Sequence, residues 1–174
     1  LAVRLRDMRT YANLTTARFV APVAIANTET VVASYSMAAN YMEAGLSFLI
    51  KAYGRLTSGA APGSSIFRAR IGTTTLTGNI AATLTIVNAA LVTAAPFKLE
   101  MLITIRTAGS GGTAIGNVAV NGGITGAFTA VADVSAVSAT VAVDTTAAKL
   151  LELTYISGNA GTTATFENVA IGVI

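Results

Sequence analysis

One stretch limits what this chain can fold into more than any other: Pro96 to Gly116, PFKLEMLITIRTAGSGGTAIG. Phe97, Leu99, Met101, Ile103 and Ile105 fall on one side of an extended chain, and Lys98, Glu100, Thr104 and Arg106 on the other. That is the period-two signature of a half-buried strand. The run Ala108-Gly-Ser-Gly-Gly112 follows it, supplying residues that take positive φ without a Cβ clash, so the chain can reverse and pair with itself. A sheet sets the fold, and the five apolar residues are its expected central core.

The rest of the chain repeats the pattern. Leu46, Phe48, Ile50, Ala52, Gly54 and Leu56 form an apolar face, with Lys51, Tyr53, Arg55 and Thr57 opposite. Phe67, Ala69 and Ile71 alternate with Ile66, Arg68 and Arg70, and Ala82, Leu84 and Ile86 mark a further strand. Phe19 to Ile25, Thr30 to Met37, Ala114 to Val120, Ala139 to Val143, Leu151 to Tyr155 and Val169 to Val173 complete the set. Only Met37 to Ala44 leaves room for a short helical turn, and residues 124 to 137 carry little pattern. Eight to ten short strands with frequent turn signals predict an all-β, antiparallel β-sandwich or barrel in place of an α/β layout. Leu49, Leu102, Leu150 and Ile156 add apolar groups to second faces, where they suit contacts between subunits.

Composition narrows the chemistry. The 174 residues contain no cysteine, histidine or tryptophan, so the usual neutral-pH base, thiol nucleophile and zinc ligands are missing. Charged residues make up 11%, against about 25% in an average soluble protein. Spread over the ~8,000 Å² expected of a chain this size, they give about one charge per 400 Å². So sparse a surface predicts association with copies of itself. The apolar runs are too interrupted for a membrane span. Phe19 to Ala26, after the N-terminal arginines, imitates a signal peptide, but its short apolar part contains Pro22.

Residues 1 to 18 differ from residues 19 to 174 and are read as a basic arm before a single sandwich domain. Arg4, Arg6, Arg9 and Arg18 against Asp7 carry the whole net charge of +3. Such an arm suits docking to an acidic partner surface. Four arginines with one nearby aromatic, Tyr11, make a thin footprint for nucleic acid.

Motifs for catalysis are absent. Ala108 to Gly116 lacks the lysine and following Ser/Thr of a phosphate-binding loop and lies between strands, which makes it a hairpin turn. Glu29, Glu43, Glu100, Asp133, Asp144, Glu152 and Glu167 could supply a carboxylate pair for glycoside hydrolysis. None stands in a recognisable motif, and Glu100 and Glu152 read as a solvated or paired outward face. No calcium loop occurs, and no cofactor is expected.

The segments GLSFLIKAYGRLT, RARIGTTTL, PFKLEMLITIRTAGSGGTAIG, TVAVDTTAAKLLELTYISG and TATFENVAIGVI, taken in this order, resemble the small jelly-roll structural proteins of tailed bacteriophages. The resemblance spans residues 30 to 174 and rests most on Thr104-Ile-Arg-Thr-Ala-Gly109 and on Val143-Asp-Thr-Thr146 leading to Leu151-Glu-Leu-Thr154. It implies a jelly-roll sandwich that forms a homotrimer in a virion, without catalysis. The first expectation is a capsid cement or decoration protein on the capsid surface, bound to the major capsid protein or another virion protein. The alternative is a head or tail fibre or spike domain that binds a host-surface glycan. The arginine arm, with its capsid-docking role, lies outside the resemblance.

Overall fold

The computed structural model describes residues 28–122, 126–129 and 135–174 in full, and the backbone of 15–17, 22–23 and 134. Within them the chain is all-β, an antiparallel sandwich of jelly-roll type. The strands are β1 (Thr15–Ala17), β2 (Pro22–Val23), β3 (Thr30–Met37), β4 (Ser47–Ser58), β5 (Ser64–Gly72), β6 (Asn79–Val87), β7 (Ala95–Thr107), β8 (Thr113–Asn121), β9 (Val134–Val137), β10 (Val141–Ala142), β11 (Lys149–Ser157) and β12 (Thr162–Val173). The larger sheet runs β1-β12-β4-β7-β8-β10, with β2 on β12 and β9 on β8; the smaller runs β3-β11-β5-β6.

β7 lies inside the larger sheet, where Phe97, Leu99, Met101, Ile103 and Ile105 are all buried. Its return through β8 uses the glycine turn. Gly109 has φ 109°, and a Cβ on Gly112 would lie 2.6 Å from the Val143 carbonyl oxygen and 2.7 Å from that of Thr107. Only glycine fits both demands at this hairpin.

The layers meet through aromatic rings. Phe67 and Tyr155 of the smaller sheet contact Phe97 and Phe166 of the larger, with centroids 5.6–6.4 Å apart, within the range where tilted and edge-on pairs attract. Phe128 adds a ring 6.2 Å from Phe67, so the patternless stretch after β8 supplies part of the core. Gly54 makes room for the cluster, because a Cβ there would lie 2.6 Å from the tip of the Phe97 ring. Burial pushes the Tyr155 phenol pKa up. Its hydroxyl lies 2.9 Å from Ser65 Oγ, which donates to Asn88 Oδ1 at 2.7 Å. The buried polar chain is thereby satisfied, as a sandwich interior requires.

The elements differ from expectation in three places, and a fourth expected strand lies mostly outside the described residues. No helical turn forms at Met37–Ala44: Asn40 takes φ 58°, and its N–H donates to the Thr145 carbonyl at 3.0 Å, which drives the segment into tight turns. The strand expected at Ala139–Val143 shrinks to Val141–Ala142, since β9 already pairs with the same β8 further along. Thr15–Ala17, inside the stretch read as an arm, pair with β12. Of Phe19 to Ile25, only Pro22–Val23 lie among the described residues.

Candidate functional site

Cross-strand register turns the outer face of the larger sheet into ordered rows. Strand neighbours stand about 4.8 Å apart and paired residues point the same way, so a row is read directly from the pairing. One row joins Asn168, Tyr53, Lys98 and Asn121 on β12, β4, β7 and β8. The next joins Ala170, Lys51, Glu100, Ala119 and Ser135. These two rows are polar, apart from two alanines.

Ala119 is too small to fill the space between its neighbours. Lys98, Glu100, Ala119, Val120 and Asn121 accordingly line a shallow cleft of about 190 Å³. Tyr53, the cross-strand partner of Lys98 on the neighbouring strand, is 47% exposed. Lys51 Nζ and Lys98 Nζ each lie 3.7 Å from the same Glu100 oxygen, beyond ordinary hydrogen-bond length. Beside them a bulge in β12 turns both Glu167 and Asn168 outward, and Arg55 Nε donates to Glu167 Oε1 at 2.6 Å. The sheet face around the cleft thus carries an aromatic side chain, two ammonium groups, a carboxylate and an amide on adjacent rows.

Beyond these rows the same face turns apolar. Gly172, Leu49, Leu102, Asn117 and Val137 form the third row, with Leu102 38% and Val137 69% exposed. Ile115 lies on the adjoining row opposite Thr104. Leu49 and Leu102, expected to lie on a second face, meet here. Of the other two, Leu150 is half-buried and Ile156 is buried on the smaller sheet.

The smaller sheet carries an ion cluster on its outer face. Glu29 accepts from Arg70 Nε at 2.6 Å, Arg70 Nη2 at 2.7 Å, Arg68 Nη1 at 2.8 Å and Thr154 Oγ1 at 2.5 Å. The Arg70 hydrogen bonds hold the Glu29 carboxyl down at a pKa of about 2. Arg70 is the cross-strand partner of Glu152. Glu152, read from sequence as a solvated or paired outward residue, is 2% exposed. The β5–β6 turn closes over it, and the Leu76 N–H donates to its Oε2 at 2.9 Å. Glu100 does sit on an outward face. The arginines of β5 were visible in the sequence, but Glu29 lies 39 and 41 residues before them, a separation no local pattern reports.

Arg4, Arg6, Arg9 and Arg18 lie outside the described residues, as does Asp133. Among the described residues no group of three or more His, Cys, Asp or Glu side chains gathers as a metal site. Asp144 instead caps its own turn, accepting from the Thr146 N–H at 2.9 Å and hydroxyl at 2.6 Å. The hydroxyl contact, with help from the N–H, lowers its pKa.

No protein-family model matches the chain, and no curated protein sequence matches it. Among solved structures, the CBM2 module of the evolved Dit of Lactobacillus casei BL23 phage J-1 aligns with a TM-score of 0.36 and 10% identity. That alignment covers 79% of this chain and 66% of the module, just under two thirds of its length. The metal-free lectin I-B4 of Griffonia simplicifolia aligns at 0.34 and 12% identity, covering 91% of this chain and 80% of the lectin. The legume lectin-like domain from Entamoeba histolytica aligns at 0.29 and 8% identity, covering 90% and 89%.

Proposed function

We propose that the chain is a non-enzymatic structural protein of a bacteriophage virion that recognises a glycan through the outer face of its larger sheet, as a fibre or spike domain does. The observation that carries this reading is half-exposed Tyr53 beside a cleft walled by Lys98, Glu100 and Asn121. A tyrosine offers an apolar ring face with a polar tip, which suits stacking on a sugar. Convergent donors and acceptors fix the orientation of a bound molecule. The chain has no tryptophan, so Tyr53, the one exposed aromatic side chain among the described residues, carries the stacking. On a microarray of bacterial surface oligosaccharides the protein should bind a discrete set, and Tyr53→Ala should lose that binding with unchanged melting. A protein that binds no saccharide overturns the reading.

A cement or decoration role has its own support in the apolar row. Leu49, Leu102, Ile115 and Val137 put four apolar side chains around Asn117 on a protein with few charges, and apolar clusters of this kind mark association surfaces. Here the occupant is a second copy of this chain in a homotrimer. Sedimentation should give the mass of three chains, and Leu102→Asp should shift it to one while the monomer stays folded. A wild-type monomer at micromolar concentration removes this support. Copy number in purified particles separates the roles, since a cement protein would be present in far more copies than a fibre.

A further inference from the structure

The charges around the cleft specify more than a sugar. Lys51, Lys98 and Arg55 face two carboxylates, Glu100 and Glu167, across adjacent rows. Arg55 and Glu167 satisfy each other at 2.6 Å. That leaves two ammonium groups to share one carboxylate oxygen, each at a long 3.7 Å. An ammonium has three donors, so each lysine keeps hydrogen-bonding capacity that Glu100 does not use. The surplus positive charge sits beside Tyr53, the direct cross-strand partner of Lys98.

We infer that the cleft selects an anionic saccharide unit, with its carboxylate or phosphate between Lys51 and Lys98 and its ring against Tyr53. This rests on the glycan reading above. Size fits the assignment: about 190 Å³ falls below the ~300–1,000 Å³ of pockets that enclose a drug-sized ligand. One ring is seated, and the rest of the chain can run along the open sheet face. Glu100 belongs to the selection. With no anion bound its carboxylate lies 3.7 Å from both lysines, and it repels a ligand whose negative group is presented at the wrong position.

The test uses the full chain and three probes: oligogalacturonate, its carboxyl-reduced neutral counterpart, and a sugar-phosphate oligomer of the teichoic type. Calorimetry should show binding to one or both anionic probes, at least about tenfold weaker affinity for the neutral one, and weakening with salt. The two anionic arms identify the source of the charge. Lys98→Gln and Lys51→Gln should each lose about tenfold, with melting unchanged, whereas Lys149→Gln on β11 should change nothing. Equal binding of the charged and reduced probes overturns the charge selection and leaves glycan recognition standing. If these probes and the oligosaccharide array all fail to bind, both readings fall.

Discussion

Met101→Asp is expected to leave no folded protein in the soluble fraction. Met101 is fully buried in mid-β7, between Ile50 of β4 and Val118 of β8 in the same row. A carboxylate there has no partner within the sandwich, and burying it costs several kcal/mol against a total stability of about 5–15 kcal/mol. The residue could escape only by shifting β7 one position, which would turn Leu99, Ile103 and Ile105 outward with it. Met101→Leu keeps volume and polarity and should cost less than about 1.5 kcal/mol. Lys98→Ala, three residues earlier on the outer face of the same strand, should leave stability near wild type. Soluble yield and circular-dichroism melting of the three variants provide the check; a Met101→Asp protein that melts like wild type would mean the strand register is wrong.

Legibility of the fold tracked the range of the interaction. Alternation is a local signal, so the faces of β4, β5, β7 and β11 could be assigned residue by residue, including the outward Tyr53 and Lys98. The row that brings Tyr53 beside Lys98 and Asn121 depends on register between strands distant in sequence, and one residue of slip would dissolve it. Glu152 shows the opposite case. Its position on an alternating strand placed it on the outer face correctly, but the turn between β5 and β6 folds over that face and buries it. Phe128 was hidden for another reason, since its Ala/Thr/Val surroundings lack period and a long-range bridge to Asn88 carries it to the core edge.

Replacing Glu29 should produce the largest loss of stability available on the outside of the sandwich. Glu29 immediately precedes β3 and ties it to β5 through Arg68 and Arg70, with side-chain exposures of 15%, 24% and 14%. Glu29→Ala removes the carboxylate that Arg68 and Arg70 share, leaving Arg70 only the carboxylate of its cross-strand neighbour Glu152, and breaking such a pair costs about 3–5 kcal/mol when it is deeply buried. Partial exposure places the expected loss near the lower end, about 3 kcal/mol. The pH dependence gives an independent measure. The folded-state pKa of about 2 lies below the ordinary 4.5, so the unfolded chain binds the proton more tightly. The contribution is complete above pH 4.5 and drains away as pH falls toward 2, a loss of about 3 kcal/mol. Asp144, whose pKa is also lowered, adds acid sensitivity in the same direction, so the wild type must be compared with Glu29→Gln across the same range. Chemical denaturation at pH 7 and at steps down to pH 2.5 should show the two stability curves far apart at neutral pH and converging in acid. Hydrogen exchange should find the first amides of β3 opening faster in the variant, because the lost contact anchors that end of the strand. Parallel curves, or a difference below about 0.5 kcal/mol at pH 7, would show that the arginines are satisfied by water and that the cluster does not hold β3 to its sheet.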